Sequence, residues 1–159
     1  MAQHRAAGPG RPGPLRPAGA GAEPARGAKL GLGDRGEDLA AAYLTRGGAV
    51  ILERNWRARP TVDGLRGELD LVVRLEAALV AVEVKTRRGE DYGHPLEAID
   101  EAKLRRLHRL LRAWAAARGL SGCTRRVDAV SVVLLPHGRG RPGPDDAQRV
   151  RIEHRRGLH

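Results

Sequence analysis

The sequence has no phenylalanine, a single cysteine, and no apolar run of the about 18 residues that a membrane-spanning helix needs. Cys123 has no partner within the chain, so an internal disulfide is excluded, and a lone thiol beside Ser121 and Gly122 is a weak candidate for catalysis. The amino-terminal residues lack the apolar core of a signal peptide. We therefore expect a cytoplasmic protein that is not attached to a membrane.

Lysine is scarce, since the chain has only Lys29, Lys85 and Lys103 beside 26 arginines. The net charge of +10 suggests a nucleic-acid partner, but its distribution weakens that argument. Residues 1–28 carry +3, residues 136–159 carry +3, and the residues between them carry only +4. The rarity of lysine makes each one a candidate for a specific role, because its compact charge differs chemically from the arginine fork.

The composition divides the chain into four parts. Residues 1–28 consist of Pro, Gly, Ala and Arg with one Leu, which predicts a disordered tail, with binding to polyanions as the alternative role. Residues 29–135 are predicted to form the folded domain. A Pro/Gly loop covers 136–148, and residues 149–159 hold an edge strand and a carboxy-terminal tail.

Hydrophobic periodicity predicts two helices and four strands, and a fifth, short edge strand is an alternative for the last segment. Order is expected to begin near Leu32, and GDRGEDLAAAYLTRGG (residues 33–48) is expected to form a first helix, capped by Asp34 with Glu37 three residues later. A long helix is expected between Pro95 and Gly119. The predicted strands are residues 49–56, 67–74, 79–85, 127–135 and 149–154, with the second and third forming an antiparallel hairpin. Because the central strands are apolar on both faces, we expect an α/β fold in which helices cover both sides of the sheet.

Charged residues interrupt two of these apolar strands. Side chains alternate along a strand, so Glu83 and Lys85 share one face, about 7 Å apart. On the preceding strand Glu68, Asp70 and Val72 are expected to share a face, and the hairpin can bring Asp70 close to Glu83. One interpretation is a cross-strand salt-bridge cluster on a solvated face. The other is a site for a divalent cation, which would offset two buried carboxylates that repel each other.

Both predicted helices carry a charged residue on an inward stripe. Lys103 lies four residues from Ile99 and from Leu107, so either its stem is buried with the ammonium at the surface, or it reaches a phosphate. Glu37 lies one turn before the inward Ala40. It either completes the helix cap or reaches over the strand ends as a third acid.

With these residues assembled, the chain resembles the YraN family of small proteins with a nuclease-like core. The matching segments are GDRGEDLAAAYLTRGGAVILERNWR, GELDLVV, VEVKTRRGEDYGHPLEAID with Lys103 following, and RRVDAVSV, which together span about residues 31–135. In relatives an aromatic residue usually precedes the aspartate of the late strand, whereas Val127 precedes Asp128 here. The resemblance extends to the PD-(D/E)XK superfamily of restriction enzymes and Holliday-junction resolvases. It implies a restriction-endonuclease-like αβββαβ core, a mixed sheet flanked by helices.

The resemblance also implies metal-dependent hydrolysis of phosphodiester bonds, with Mg²⁺ or Mn²⁺ as cofactor. Asp70 and Glu83 match the metal-binding acids, Lys85 the lysine of the E-x-K pair, and Glu37 the acid of the first helix. Glu68 belongs to the same G-E-x-D match without a defined role. The expected partner is nucleic acid, DNA rather than RNA, and by analogy with junction-cutting relatives the protein is expected to act as a homodimer.

Further residues near the predicted strand ends are candidates for substrate contacts. Lys103 and a group of loop arginines are expected to bind flanking phosphates; the arginines are Arg57, Arg59, Arg66, Arg87 and Arg88. His94 is a weaker candidate for a general base. Two other classes of protein remain open: a nucleic-acid-binding module with the same fold but no turnover, and an interaction protein whose Arg-rich tail contacts acidic partners.

Overall fold

The computed structural model describes residues 31–89, 99–135 and 149–159. The predicted tail at 1–28, the loop at 136–148, and the candidates His94 and Pro95 lie outside these residues. The elements are α1 (Leu32–Arg46), β1 (Val50–Arg57), α2 (Pro60–Asp63), β2 (Glu68–Leu75), β3 (Ala78–Arg88), α3 (Glu101–Ala116), β4 (Thr124–Leu134) and β5 (Val150–Arg155). The short helix α2 lies in the segment 57–66 that was predicted to be a loop.

The five strands form one mixed sheet in the order β1-β2-β3-β4-β5. The strands β1, β2 and β3 are antiparallel neighbours, whereas β4 runs parallel to β3 along its whole length, from Ala78 opposite Thr124 to Arg88 opposite Leu134. The parallel pair needs a crossover connection, and α3 lies within it. The edge strand β5 pairs antiparallel with β4, which confirms the predicted last strand.

One helix covers each face of the sheet. On one face α1 packs through Ala40 and Leu44 on a cluster that includes Leu71, Val80 and Val130. On the other face α3 packs through five large apolar side chains on Val72, Leu79 and Val127; the five are Leu104, Leu107, Leu110, Leu111 and Trp114. The expected α/β class is therefore confirmed. Within the described ranges no helix is long and apolar enough to cross a membrane.

Both long helices begin at a different residue from the one predicted. The N-cap of α1 is Gly31, so the prediction that Asp34 is the N-cap was wrong; the Asp34 carboxylate accepts a hydrogen bond from the Gly31 backbone N–H at 3.0 Å instead. The N-cap of α3 is Asp100, whose carboxylate accepts from the Lys103 backbone N–H at 2.7 Å. Each acid satisfies an N–H group that the helix itself leaves unpaired, which is why each marks a helix start.

A close approach between α1 and β3 requires glycine at position 36. A Cβ atom added to Gly36 would overlap the Thr86 side chain, lying 2.7 Å from Thr86 Cβ. We expect Gly36→Ala to lower the free energy of unfolding by about 1–3 kcal/mol, because helix and strand must move apart. Gly33, in the same helix, has nothing within 4 Å of an added methyl group, so Gly33→Ala should change stability by no more than about 0.5 kcal/mol. Chemical denaturation measures both, and equal losses would contradict the packing argument.

Candidate active site

A cavity of about 560 Å³ opens between the start of β2, the middle of β3 and the first turns of α3. Three acids line it, Glu68, Asp70 and Glu83, together with four cations; the cations are Arg57, Arg66, Lys103 and Arg106. The floor is apolar, since Leu107 of α3 lies beneath the charged groups. The cavity therefore holds positive and negative side chains close together, beside the first turns of α3.

The two acids of the predicted pair lie on neighbouring strands. Leu71 of β2 pairs with Val82 of β3, just before Asp70 and Glu83. Both acids line the cavity, and the charge of Glu83 helps to raise the pKa of Asp70, so the two side chains lie close together. The Val84 backbone N–H donates to Asp70 Oδ2 at 2.8 Å, which anchors one carboxylate oxygen to the partner strand. The expectation that the hairpin brings Asp70 close to Glu83 is confirmed.

The electrostatics of Asp70 reflect that proximity. Burial raises its pKa to about 6, and the negative charges of Glu83 and Glu37 act in the same direction. The hydrogen bond from Val84 N–H and the charge of Lys103 oppose the shift without cancelling it. The charged form of Asp70 is thus disfavoured by burial and by its acidic neighbours, and a bound cation would relieve this.

Asp70 lies where the regular alternation of β2 is interrupted. Leu69 and Val72 both pack in the cluster under α3, whereas Leu71 packs in the cluster under α1. Strict alternation cannot place residues 69 and 72 on one face. On the neighbouring strand, Asn55 has a positive φ of 52°, at the level of Asp70 between the pairs formed by Leu71 and Leu69. The prediction that Glu68, Asp70 and Val72 follow one uninterrupted face therefore needs this correction.

The lysine that contacts Glu83 is Lys103 of α3. Its ammonium donates to Glu83 Oε1, and the side chains are only 28% and 12% exposed. Lys85 is half-buried and lies opposite Ser131 of β4; it is not one of the residues that line the cavity in the described part of the chain. Lys103 therefore turns inward as its position on the apolar stripe predicted, but its contact is a carboxylate.

Glu37 lies near the acid pair without joining it in the cavity. The pKa of Glu37 is raised, because the effect of burial outweighs the hydrogen bond with Asn55 and the charge of Arg54, which both lower it. Its own charge raises the pKa of Asp70, so it lies within electrostatic reach of that carboxyl group. The sheet distortion at Asn55 thus connects the acid of the first helix with the acid of β2.

The predicted arginines separate into two groups. Arg57 and Arg66 line the cavity, and Arg57 Nε contacts Glu68 Oε2 at 3.1 Å, which gives Glu68 an exposed ion pair as its observed role. Arg59 is the exposed N-cap of α2, and Arg88 is exposed at the end of β3. Arg87 is half-buried on that same strand and has an interaction of its own.

Sequence reasoning missed Arg106 as a site residue. It lies three residues after Lys103 on α3, so the helical repeat places both on neighbouring positions of one surface. Arg106 is exposed and lines the cavity, as Lys103 does. The signal was therefore present in the sequence, in the spacing between the two cations.

The donor set of the cavity fits Mg²⁺ or Mn²⁺ better than zinc. Across residues 31–89, 99–135 and 149–159, no group of three or more His, Cys, Asp and Glu side chains could hold a metal ion. Zinc sites usually require three or four such ligands. Mg²⁺ keeps several waters and commonly uses only one or two carboxylates, which is what Asp70 and Glu83 offer.

A second charged cluster, on the α1 side of β4, was also missed. Asp128 is fully buried and accepts from Arg126 Nε at 2.8 Å, Arg126 Nη2 at 3.1 Å and the Gly157 backbone N–H at 2.9 Å. His154 Nε2 of β5 lies 2.9 Å from Asp128 Oδ2. Burial alone would raise the pKa of Asp128, but the bonds from His154, Arg126 and Gly157 outweigh it and lower that pKa. The cluster fastens the carboxy-terminal segment to β4.

The mixed five-stranded sheet with a helix on each face is consistent with a restriction-endonuclease-like core. The chain belongs to the uncharacterised protein family UPF0102, whose model matches residues 36–132, and the predicted YraN-type family is thereby confirmed. It is similar to a UPF0102 protein of Arthrobacter sp. (strain FB24), with 47% identity over 127 residues, 80% of this chain and 94% of the relative. It is also similar to one of Renibacterium salmoninarum, with 45% identity over 130 residues, 82% of this chain and 97% of the relative.

Proposed function

We propose that the protein is a metal-dependent nuclease of the PD-(D/E)XK type that hydrolyses phosphodiester bonds in nucleic acid, with DNA as the favoured substrate. The observation that carries the proposal is the meeting of Asp70 and Glu83 from adjacent strands in one cavity rimmed by cations. The two acids supply oxygen ligands, and the cations supply contacts for phosphate.

The roles of the acids follow from their surroundings. Asp70 and Glu83 would hold Mg²⁺ or Mn²⁺, which supplies a polarised phosphate and a water of lowered pKa when bound. Asp70 is oriented for this role by the Val84 N–H, which fixes one oxygen and leaves the other to face the cavity's charge. Glu37 supports the pair from the α1 side by adding negative potential at Asp70.

The cations fall into two groups: those near the phosphate that is cut and those near the neighbouring phosphates of the nucleic acid. Lys103, already beside Glu83, is positioned to neutralise charge that develops on the phosphate. Lys85 follows Glu83 by two residues on the same strand face. It would contribute its positive charge from the side of Glu83 that lies away from the cavity. Arg66 and Arg106 on the cavity wall would hold phosphates next to the one that is cut.

A second candidate function is a nucleic-acid-binding module without turnover. The ion pair between Lys103 and Glu83 favours it, because the ammonium compensates Glu83 without any metal. In that case Asp70, Glu83 and Lys103 form a structural charge cluster under the cationic rim. The two functions share the binding surface and differ only in whether products appear.

Incubation with linear, flapped and four-way DNA, with and without Mn²⁺, tests the proposal. We expect metal-dependent cleavage of at least one substrate and a loss of at least about a hundredfold in Asp70→Asn, with DNA binding retained. Identical products from the wild type and the variant would contradict the assignment of the site. Binding without products in any metal would favour the module without turnover.

Two arginines of α3 test whether the cations that line the cavity bind phosphate. Arg106 lines the cavity, whereas Arg112 is exposed on the same helix and does not line it. We expect Arg106→Gln to weaken DNA binding several-fold and to reduce its salt dependence by about one phosphate contact, because one contact is lost. Arg112→Gln removes the same charge and should leave both nearly unchanged in fluorescence anisotropy. Equal effects of the two substitutions would show that the cavity wall attracts DNA only through nonspecific charge.

A further inference from the structure

A second cavity, of about 750 Å³, lies on the other side of the sheet, beside the carboxy-terminal end of α1. Its lining includes Tyr43, Arg46, Leu75, His154 and Arg156, and none of its lining residues belongs to the acidic cavity. Glu76, at this cavity, follows Asp70 by six residue steps along β2 and its turn, a span of about 20 Å. The two cavities are therefore independent sites.

The inner surface of this second cavity is apolar and aromatic. Leu44 and Leu75 are buried at 3% and 8% exposure and belong to the core cluster under α1. The rings of Tyr43 and His154 meet edge to face, with centroids 6.2 Å apart and planes at 86°. Tyr43 remains 36% exposed, so part of its ring is open to a ligand. Such a surface suits a flat, partly apolar ring.

The rim of the cavity carries two arginines, Arg46 and Arg156, and one acid, Glu76, so that its net charge is +1. Arg46 is the last residue of α1, is exposed, and has no ion pair with any residue in the described ranges. Arg156 contributes a second guanidinium, which contacts Glu76 Oε1 at 2.7 Å. The carboxy-terminal end of a helix carries a partial negative charge, which disfavours anions. At the end of α1, the carbonyls of Tyr43 and Thr45 already accept hydrogen bonds from Gly47 and Gly48 N–H, at 3.1 and 3.0 Å. The positive charge of Arg46 opposes the partial negative charge that remains.

His154 adds a fixed polar group to this surface. Asp128 is buried and ionised, and an ionised carboxylate only accepts hydrogen bonds, so His154 Nε2 carries the proton in their 2.9 Å contact. That assignment leaves Nδ1 as the nitrogen available to another partner. The imidazole is held in place by the same contact, with only 10% of its side chain exposed.

We propose that this cavity binds a phosphorylated nucleotide unit, with the base against Tyr43 and the phosphate between Arg46 and Arg156. The aromatic wall and apolar floor match a base, and two guanidinium groups at the rim match a phosphate. A free mononucleotide and the phosphorylated end of a strand share this chemistry. The proposal does not depend on the nuclease assignment, because it uses no residue of the acidic cavity.

Calorimetric titration of the full-length protein tests the proposal with five probes: AMP, adenosine, inorganic phosphate, and a dinucleotide with and without a 5′-phosphate. We expect AMP to bind more tightly than adenosine and more tightly than inorganic phosphate, since it uses both parts of the cavity. A preference for the 5′-phosphorylated dinucleotide over AMP identifies a strand end, and the reverse identifies a free nucleotide.

Matched variants locate the binding. Arg46→Gln, at an exposed position without an ion pair in the described ranges, should weaken AMP binding about tenfold, because one charge-assisted contact is lost. Tyr43→Leu keeps an apolar side chain, removes the ring, and should also weaken binding. Arg112→Gln, which lines neither cavity, should bind AMP like the wild type, whereas Arg66→Gln, at the acidic cavity, reports whether AMP binds there instead.

Three outcomes would overturn the proposal. The first is no saturable binding of any phosphorylated probe below about 10 mM. The second is an equal loss in Arg46→Gln and Arg112→Gln, which would indicate attraction to net charge alone. The third is a loss in Arg66→Gln with no loss in Arg46→Gln, which would assign the nucleotide to the acidic cavity and leave the nuclease proposal intact.

Discussion

Replacing Asp128 by asparagine is expected to lower the free energy of unfolding by about 3–5 kcal/mol. Asp128 is fully buried and ionised, and its carboxylate accepts from Arg126 and the Gly157 backbone N–H and contacts His154. Asparagine keeps the shape but removes the negative charge, and its amide cannot accept bonds on both atoms. The guanidinium of Arg126, only 23% exposed, then loses its compensating charge. Breaking a buried pair in this way is costly because one charge stays behind.

The matched control is Asp38→Asn, which removes the same charge from an exposed ion pair. Asp38 contacts Arg54 at 2.6 Å, but the side chains are 49% and 40% exposed. Exposed pairs contribute at most about 1 kcal/mol, so this variant should unfold close to the wild type. Denaturant titration compares the two. A loss of less than about 1 kcal/mol in Asp128→Asn would show that the cluster does not fasten the carboxy-terminal segment.

Asp70→Asn is expected to have the opposite effect and to stabilise the metal-free protein at neutral pH. The pKa of Asp70 is raised from 3.8 to about 6 by burial and by Glu83, so the folded state binds more protons than the unfolded state between these values. Stability therefore falls as pH rises through this window, and the cost at pH 7 is about 1–3 kcal/mol. Asparagine carries no charge and avoids that cost, while its carbonyl oxygen can still accept from Val84 N–H.

The pH dependence separates this effect from a simple packing change. Below about pH 3.5 Asp70 is protonated in both states, so the wild type and Asp70→Asn should have nearly equal stability. The difference in stability should increase between pH 3.8 and about pH 6, which are the pKa values of Asp70 in the unfolded and folded states. Urea unfolding at several pH values, without divalent metal, measures it. A variant that is less stable than the wild type at pH 7 would contradict the conclusion that the charge of Asp70 is unfavourable in its buried position.

The order of the elements and their core faces could be predicted from the sequence because local patterns decide them. The apolar runs of β2 and β3 predicted strands that are covered on both faces, and the stripe of α3 predicted the helix that covers one of them. The helix starts were less certain, since several polar residues precede each helix. Asp34 lies inside the first turn of α1, where its carboxylate accepts a hydrogen bond from the Gly31 backbone N–H, and Asp34 is not itself the N-cap.

The parts of the site that depend on packing between distant segments could not be predicted. Lys85 is two residues from Glu83 in sequence, yet Lys103, twenty residues away, makes the contact because the first turn of α3 lies next to the middle of β3. The break in alternation at Asp70 lies opposite Asn55 of β1, which has a positive φ. Asp128 finds its partner His154 across 26 residues that include a Pro/Gly segment. Local periodicity carries no information about such pairings.

Titration with Mn²⁺ tests the central claim most directly, because the claim is that Asp70 and Glu83 together hold a divalent cation. Calorimetry on the wild type, Asp70→Asn, Glu83→Gln and the surface control Asp38→Asn gives stoichiometry and affinity for each. The account predicts about one Mn²⁺ per wild-type and Asp38→Asn chain, and binding at least about tenfold weaker in both site variants. Uptake that is the same in all four proteins, or absent from the wild type, would contradict it.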